Sequence, residues 1–149
     1  ETRKEYKLNT KIICDGGIRN SGDIVKALAA GADFVMCGSL LSGTKETPGK
    51  RRFNFKKWKW YKEYRGMSSR ASQMDWKGKS NTPEGISTYV PARGSVEDIL
   101  KDLEGGIRSG LSYAGAKNIE ELRKNAKWIR QTSAGQLESS THILNKHDN

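Results

Sequence analysis

Ile12-Ile13-Cys14-Asp15-Gly16-Gly17-Ile18 decides how this chain is read. It begins as a short β-branched apolar run, which suits a strand buried on both faces. It ends in an acid and two glycines, which suits a strand that stops and turns over a ligand. Asn20 and Ser21 are favourable helix N-caps, and Asp23 falls in the first turn. Ile24, Val25, Leu28 and Ala29 then follow at apolar helical positions, and Gly31 predicts the stop. Ala32-Asp33-Phe34-Val35-Met36-Cys37 is a second short apolar run, ended by Gly38-Ser39. Strand, crossover helix and strand predict a parallel βαβ unit over residues 11–44.

Two parallel strands that both end in small residues open toward one face. The backbone amides of Gly16, Gly17, Gly38 and Ser39 would converge there on an anion. Amides freed by glycine turns bind phosphate without a basic side chain. In (β/α)8 barrels the loops after the last two strands frequently build such a site. Two ordinary βα turns, in which glycine only relieves strain, account for the same pattern.

Longer motifs carry a resemblance. Asp15-Gly16-Gly17-Ile18 is followed by Gly31-Ala32-Asp33, by Gly38-Ser39-Leu40-Leu41-Ser42-Gly43-Thr44, and by Glu46 and Pro48-Gly49. Tyr64-Arg65-Gly66-Met67-Ser68-Ser69, Glu84-Gly85-Ile86 and Gly105-Gly106-Ile107-Arg108-Ser109 come next. In order and spacing this set resembles the IMP dehydrogenase and GMP reductase family over nearly the whole chain. The resemblance implies an α/β fold: the C-terminal portion of a (β/α)8 TIM barrel, its last two βα units. A small β-hairpin, a flap and C-terminal helices complete it.

Length agrees with a portion. The chain has 149 residues, enough for one core, whereas a complete barrel needs about 250. The resemblance therefore implies one C-terminal segment of a catalytic domain, 1–149, with the earlier strands in a complementary segment. A two-strand slice would leave unpaired strand edges and an open apolar face. The expectation is that it does not fold stably without that segment.

Net charge is +10, which fits nucleic-acid or phosphate partners, or merely solubility. Cys14 and Cys37 close the two strands and form neither a CxxC pair nor a zinc spacing with the two histidines. Buried, reduced, structural thiols are expected, and with them a cytoplasmic setting. No apolar run approaches membrane length, and Glu1-Thr2-Arg3-Lys4-Glu5 is not a signal peptide.

Residues 50–65 change character. Arg52-Phe53-Asn54-Phe55 and Lys57-Trp58-Lys59-Trp60 alternate with period two, which predicts a hairpin. Lys50, Arg51, Arg52, Lys56, Lys57, Lys59, Lys62 and Arg65 crowd the same stretch. Aromatics interleaved with cations suit a basic module for single-stranded nucleic acid, built on Phe53, Phe55, Trp58 and Trp60. A half-buried hairpin, aromatics down on the barrel and lysines in water, is the favoured reading, because strict alternation needs one buried face.

Residues 66–85 read as a loop and flap without periodicity. Residues 86–130 read as a strand, Ile86 to Val90, and terminal helices. Ser95 caps one helix, with Val96, Ile99, Leu100, Leu103 and Ile107 at helical spacing, and Gly105-Gly106 predicts a junction between two helices. Asn118 caps another, with Ile119, Leu122, Ala126 and Ile129 on one stripe. Residues 131–149 read as a polar tail that docks or stays disordered.

The resemblance also assigns roles. Asp15 corresponds to the acid that binds the ribose hydroxyls. Gly17, Gly38 and Ser39 correspond to the 5′-phosphate contacts, and Tyr64 to a hydroxyl donor to the same phosphate. Gly66, Met67 and Ser68 correspond to the turn against the purine. Glu84, with Gly85, corresponds to the flap-end residue on the base, and in GMP reductases that glutamate is implicated in proton delivery to the leaving ammonia. The family's catalytic cysteine lies on a loop before residue 1, and neither Cys14 nor Cys37 takes its place.

Two features bear on the reaction. Family dehydrogenases carry an Arg-Tyr pair on a long flap, and the stretch from Arg70 to Thr82 has none. Ser68-Ser69 and Leu111-Ser112-Tyr113-Ala114-Gly115 resemble GMP reductase, where this region helps hold the NADPH adenosine of a neighbouring subunit, with Ser109 and Tyr113 as candidates. Against that, Gln131 to Ser139 resembles the dehydrogenase tail, where residues matching Glu138, Ser139 and Ser140 help bind potassium across subunits. The resemblance thus implies a purine nucleotide oxidoreductase. The favoured reaction is GMP with NADPH to IMP and ammonia. The alternative is IMP with NAD and water to XMP. The expected assembly is a homo-tetramer.

Overall fold

The computed structural model describes residues 5–6, 9–67, 69–78 and 87–139. Strand β1 (Ile13–Asp15), helix α1 (Ser21–Ala29) and strand β2 (Phe34–Met36) form the expected parallel unit. The register pairs Ile13 with Phe34, Cys14 with Val35 and Asp15 with Met36. The Asn20 side chain accepts from the Asp23 amide at 2.9 Å, so the predicted cap forms. Gly31 ends the helix at φ +113°.

The strands are not buried on both faces. Cys14 and Val35 face α1 and pack with Ile18, Ile24 and Leu40, joined by Leu103 and Ile107. Ile13, Phe34 and Met36 point the other way and are more than half exposed. In a barrel that face looks inward, and only neighbouring strands and facing side chains can cover it. Cys14 and Cys37 are accordingly half-buried free thiols rather than buried ones.

Helix α3 (Val96–Tyr113) runs unbroken through Gly105-Gly106, where a junction was expected. The reason is a close helix crossing. A Cβ on Gly106 would lie 2.1 Å from Ser21 Oγ, and one on Gly110 would lie 2.6 Å from a Val25 methyl. These two glycines let α3 lie directly against α1. Helix α4 (Ile119–Asn125) begins at Asn118 as expected but stops before Ala126, leaving Ile129 exposed and off the stripe. Arg123 of α4 ties the unit together. Its guanidinium donates to Leu28 O at 3.1 Å and Ala32 O at 2.6 Å, and lies 3.4 Å from Asp33.

The second sheet is antiparallel. Strand β3 (Arg51–Asn54) pairs with β4 (Lys59–Arg65), which pairs with β5 (Ser87–Pro91). The expected hairpin is thus one edge strand and the central strand of a three-stranded sheet, and Trp58 falls in its turn rather than on a strand. Two stretches expected to lack structure contain short helices. Helix α2 (Arg70–Lys77) is capped by Ser69 and closed by Gly78 at φ 67°, and α5 (Ser133–Glu138) is capped by Thr132.

Candidate functional site

The parallel register puts the C-terminal ends of β1 and β2 side by side. Asp15 ends β1, and Gly16 and Gly17 turn the chain at φ 93° and 75°, a conformation only glycine adopts freely. Gly38 follows β2, and Ser39 opens a single 3-10 turn, Ser39–Leu41. The four predicted phosphate-turn residues therefore sit at one end of one sheet. Asp15 is exposed beside them, with its carboxylate on the uncovered face.

The antiparallel sheet is clamped onto the loop after β2. Lys62 of β4 is only 5% exposed. Its ammonium donates to Thr44 O at 2.7 Å and Lys45 O at 3.1 Å, so carbonyl dipoles satisfy a buried cation. Arg93, after β5, donates its amide to Gly43 O at 2.7 Å and its guanidinium to Leu40 O at 2.9 Å. Gly43 and Gly49 make the approach sterically possible, because a Cβ on either would meet a carbonyl oxygen at 2.4 Å. Glu46 accepts from the Val96 amide at 2.9 Å, linking the same loop to the start of α3.

This clamp closes a cavity of about 300 Å³ lined by Gly38, Ser42, Thr47, Glu63, Tyr64 and Arg65, among others. Gly38 and Tyr64, 26 positions apart, thus share one cavity. A second cavity of about 320 Å³ adjoins it through Pro48, Glu63 and Arg65, and Met67, Asp75 and Trp76 line its far side. Gly66 lies between Arg65 and Met67 at this junction. The two cavities form one trough, running from the amides after β2 to the turn at Met67.

Arg65 is the residue the sequence reading did not select. It lines both cavities and pairs with Asp75 of α2 and, at 3.9 Å, with Glu63. Only its place beside Tyr64 in the motif signals it. Ser68, Glu84 and Gly85 lie outside the described residues.

Ser109 and Tyr113 are one turn apart on α3 and share no cavity with the trough. Tyr113 is almost fully exposed on a groove of about 420 Å³ between α1, α3 and α4, with Lys26, Asn125 and Trp128. Of the suggested potassium residues, Glu138 and Ser139 close α5, and Ser139 Oγ accepts from Gln131 Nε2 at 2.9 Å. Ser140 is outside the described residues. Among the described residues no three His, Cys, Asp or Glu side chains cluster as a metal site, and no helix is long and apolar enough to cross a membrane.

Comparisons with known proteins fit this geometry. The IMP dehydrogenase / GMP reductase domain matches residues 2–142. Inosine-5'-monophosphate dehydrogenase of Aquifex aeolicus is 49% identical over 148 residues, covering 93% of this chain and 29% of the relative. The enzyme of the same name from Chlorobaculum parvum is 44% identical over 159 residues, covering 94% and 31%. A crystal structure of GMP reductase from Trypanosoma brucei in complex with guanosine 5'-monophosphate superposes with a TM-score of 0.83 at 42% identity, covering 95% of this chain and 30% of that one. The chain spans less than a third of the length of these relatives. With that domain matched over residues 2–142 of 149, the chain belongs to the IMP dehydrogenase / GMP reductase family.

Proposed function

We propose that this chain supplies the nucleotide-binding C-terminal part of a purine nucleotide oxidoreductase. The observation that carries this is the trough, which joins the amides after β2 to Tyr64 and Met67 across two otherwise separate sheets. Glycine-turn amides bind the 5′-phosphate, and the Tyr64 hydroxyl adds a donor. Asp15 accepts from the ribose hydroxyls, because a carboxylate takes two such bonds at once. The Gly66–Met67 turn with Ser68 holds the purine, and Glu84 with Gly85 meets its edge, where a carboxyl group can pass a proton to a leaving amine.

The favoured reaction is reductive deamination of GMP. Its support is the stretch from Arg70 to Thr82, which lacks the Arg-Tyr pair that would activate water, and the likeness to a GMP reductase holding GMP. Oxidation of IMP is the second reading, favoured by the 44–49% identity to dehydrogenases and by the tail around Glu138, Ser139 and Ser140. A bound nicotinamide cofactor would supply or accept the hydride at purine C2. The open ring of Tyr113, with Ser109 one turn before it and Lys26 across the groove, fits an adenosine and its phosphates. This groove shares no lining residue with the trough, so it would serve a cofactor bound in a neighbouring subunit of a tetramer.

The test combines this chain with a preceding barrel segment of the family and follows reduced nicotinamide by absorbance. NADPH loss with GMP supports the reductase. NADH formation with IMP, NAD and potassium supports the dehydrogenase. In either case Asp15→Ala is expected to raise KM for the nucleotide, and turnover unaffected by it would defeat the ribose role of Asp15, which lines neither cavity; Tyr64→Phe tests the trough itself in the same way.

A further inference from the structure

The tip of the β3–β4 hairpin takes no part in the trough, and it departs from the expected half-burial. Phe55 is 78% exposed and Trp58 is 76% exposed. The rings do not lie on a core. They gather around Phe53 instead, with centroids of Phe55, Trp58 and Trp60 at 5.1, 5.4 and 5.2 Å and interplanar angles of 64–83°. Edge-to-face packing of this kind leaves ring faces open.

The turn that presents them is strained. Trp58 has φ 49°, a left-handed conformation normally left to glycine or asparagine. The Asn54 side chain accepts from the Lys57 amide at 3.0 Å and holds the turn. A bulky ring kept at such a position points to a role for the ring itself.

Charge says what the rings meet. Residues 50–65 hold eight cations and one acid, Glu63. Adjacent strand residues face opposite ways, so Arg51 and Arg52 serve the two faces of the ribbon. Arg51 lies 5.0 Å over Trp60, and Arg52 lies 5.4 Å over Tyr89. On the Arg52 side a hollow of about 540 Å³ is lined by Asn54, Phe55, Lys56, Tyr61 and Tyr89.

We propose that this hairpin tip binds single-stranded nucleic acid. Bases stack on Phe55 and Trp58, and Arg52, Lys56, Lys57 and Lys59 track the phosphates. A single strand is favoured because its base faces are free to stack, unlike those of a duplex. A lipid bilayer fits poorly: Lys56 and Lys57 lie between Phe55 and Trp58, the tip's two most exposed rings, so the tip cannot enter hydrocarbon without burying two ammonium groups. The site shares no lining residue with the nucleotide trough.

The experiment titrates a fluorescent oligouridylate with this chain combined with a preceding barrel segment of the family, and with that segment alone as the control, across a salt series. Binding is expected to weaken steeply with salt, with a slope of about −0.7 per phosphate contact in a log–log plot. Phe55→Ala and Trp58→Ala are each expected to weaken binding at least fivefold without changing that slope. Lys56→Glu with Lys57→Glu is expected to flatten it. Trp58→Gly separates binding from folding, because glycine suits the left-handed turn: thermal stability holds or rises while affinity falls. Affinity unchanged by the ring variants would overturn the proposal. So would binding of phosphatidylserine vesicles, or tip-dependent dimerisation, in the absence of oligonucleotide binding.

Discussion

The two sheets expose apolar surface for opposite reasons. On the parallel pair, Ile13, Phe34 and Met36 form a smooth row with Asp15 at its end, and no lysine or arginine belongs to either strand. On the antiparallel sheet, Phe55 and Trp58 stand among Lys56, Lys57 and Lys59. A row without cations can be covered by more apolar chain at no desolvation cost. A row full of cations cannot, because each buried ammonium needs carbonyls or a counter-ion. The first face is therefore a piece of core awaiting its other half, and the second is a finished surface. Exposure of a large apolar side chain carries little meaning until its charged neighbours are counted.

The largest expected effect breaks this comparison at the parallel face. Fully burying one large apolar side chain contributes about 1.5–3 kcal/mol, and since Ile13, Phe34 and Met36 are about half exposed, covering all three is worth roughly one and a half such burials. Adding the preceding barrel strands of a family relative is expected to raise the melting temperature markedly. Phe34→Lys with Met36→Lys is expected to abolish that rise while leaving the melting of the chain alone nearly unchanged. A rise that survives both lysines would mean that this face is not where the strands add.

A contrast within α3 sharpens the account of the covered face. Gly106 touches Ser21, whereas a Cβ on Gly105 meets nothing within 4 Å. Gly106→Leu must push α1 and α3 apart and is expected to cost about 3 kcal/mol. Gly105→Ala only improves helix propensity and is expected to add about 0.8–1 kcal/mol. Urea midpoints of the two variants check both signs. Equal shifts would mean that the helices are not in contact through this glycine.

What the sequence made legible follows the same division. The β1–α1–β2 unit and the caps Asn20, Ser95 and Asn118 could be read because each rests on residues within a few positions. Gly105-Gly106 reads as a break because glycine has two uses, and which one applies depends on Ser21 of a different helix. Helix α2 lacked an apolar stripe, although Ser69 and Gly78 do mark its ends. Of the site, the glycine turns, Asp15 and Tyr64 were visible as motif residues. The clamp by Lys62 and Arg93, and the trough it closes, were not, because those bonds join residues 17 to 53 positions apart.

The smallest expected effect lies at the start of α1, beneath the covered face. Asp23 accepts from the Arg19 amide at 3.1 Å and pairs with Lys26 at 2.8 Å. The Lys26 hydrogen bond, foremost, and the Arg19 amide hold its carboxyl below the ordinary 3.8, against a smaller opposing push from burial. A carboxyl lowered in the folded state binds fewer protons there than in the unfolded chain. Its contribution is therefore fully present above 3.8 and is lost as pH falls through the lowered value. An acid in the first turn of a helix contributes about 0.3–1 kcal/mol, and Asp23→Asn is expected to remove that much at neutral pH and little at pH values below the folded pKa. If the wild type and this variant lose stability in parallel on acidification, the charge on Asp23 does not hold the start of α1, and the Asn20 cap alone does.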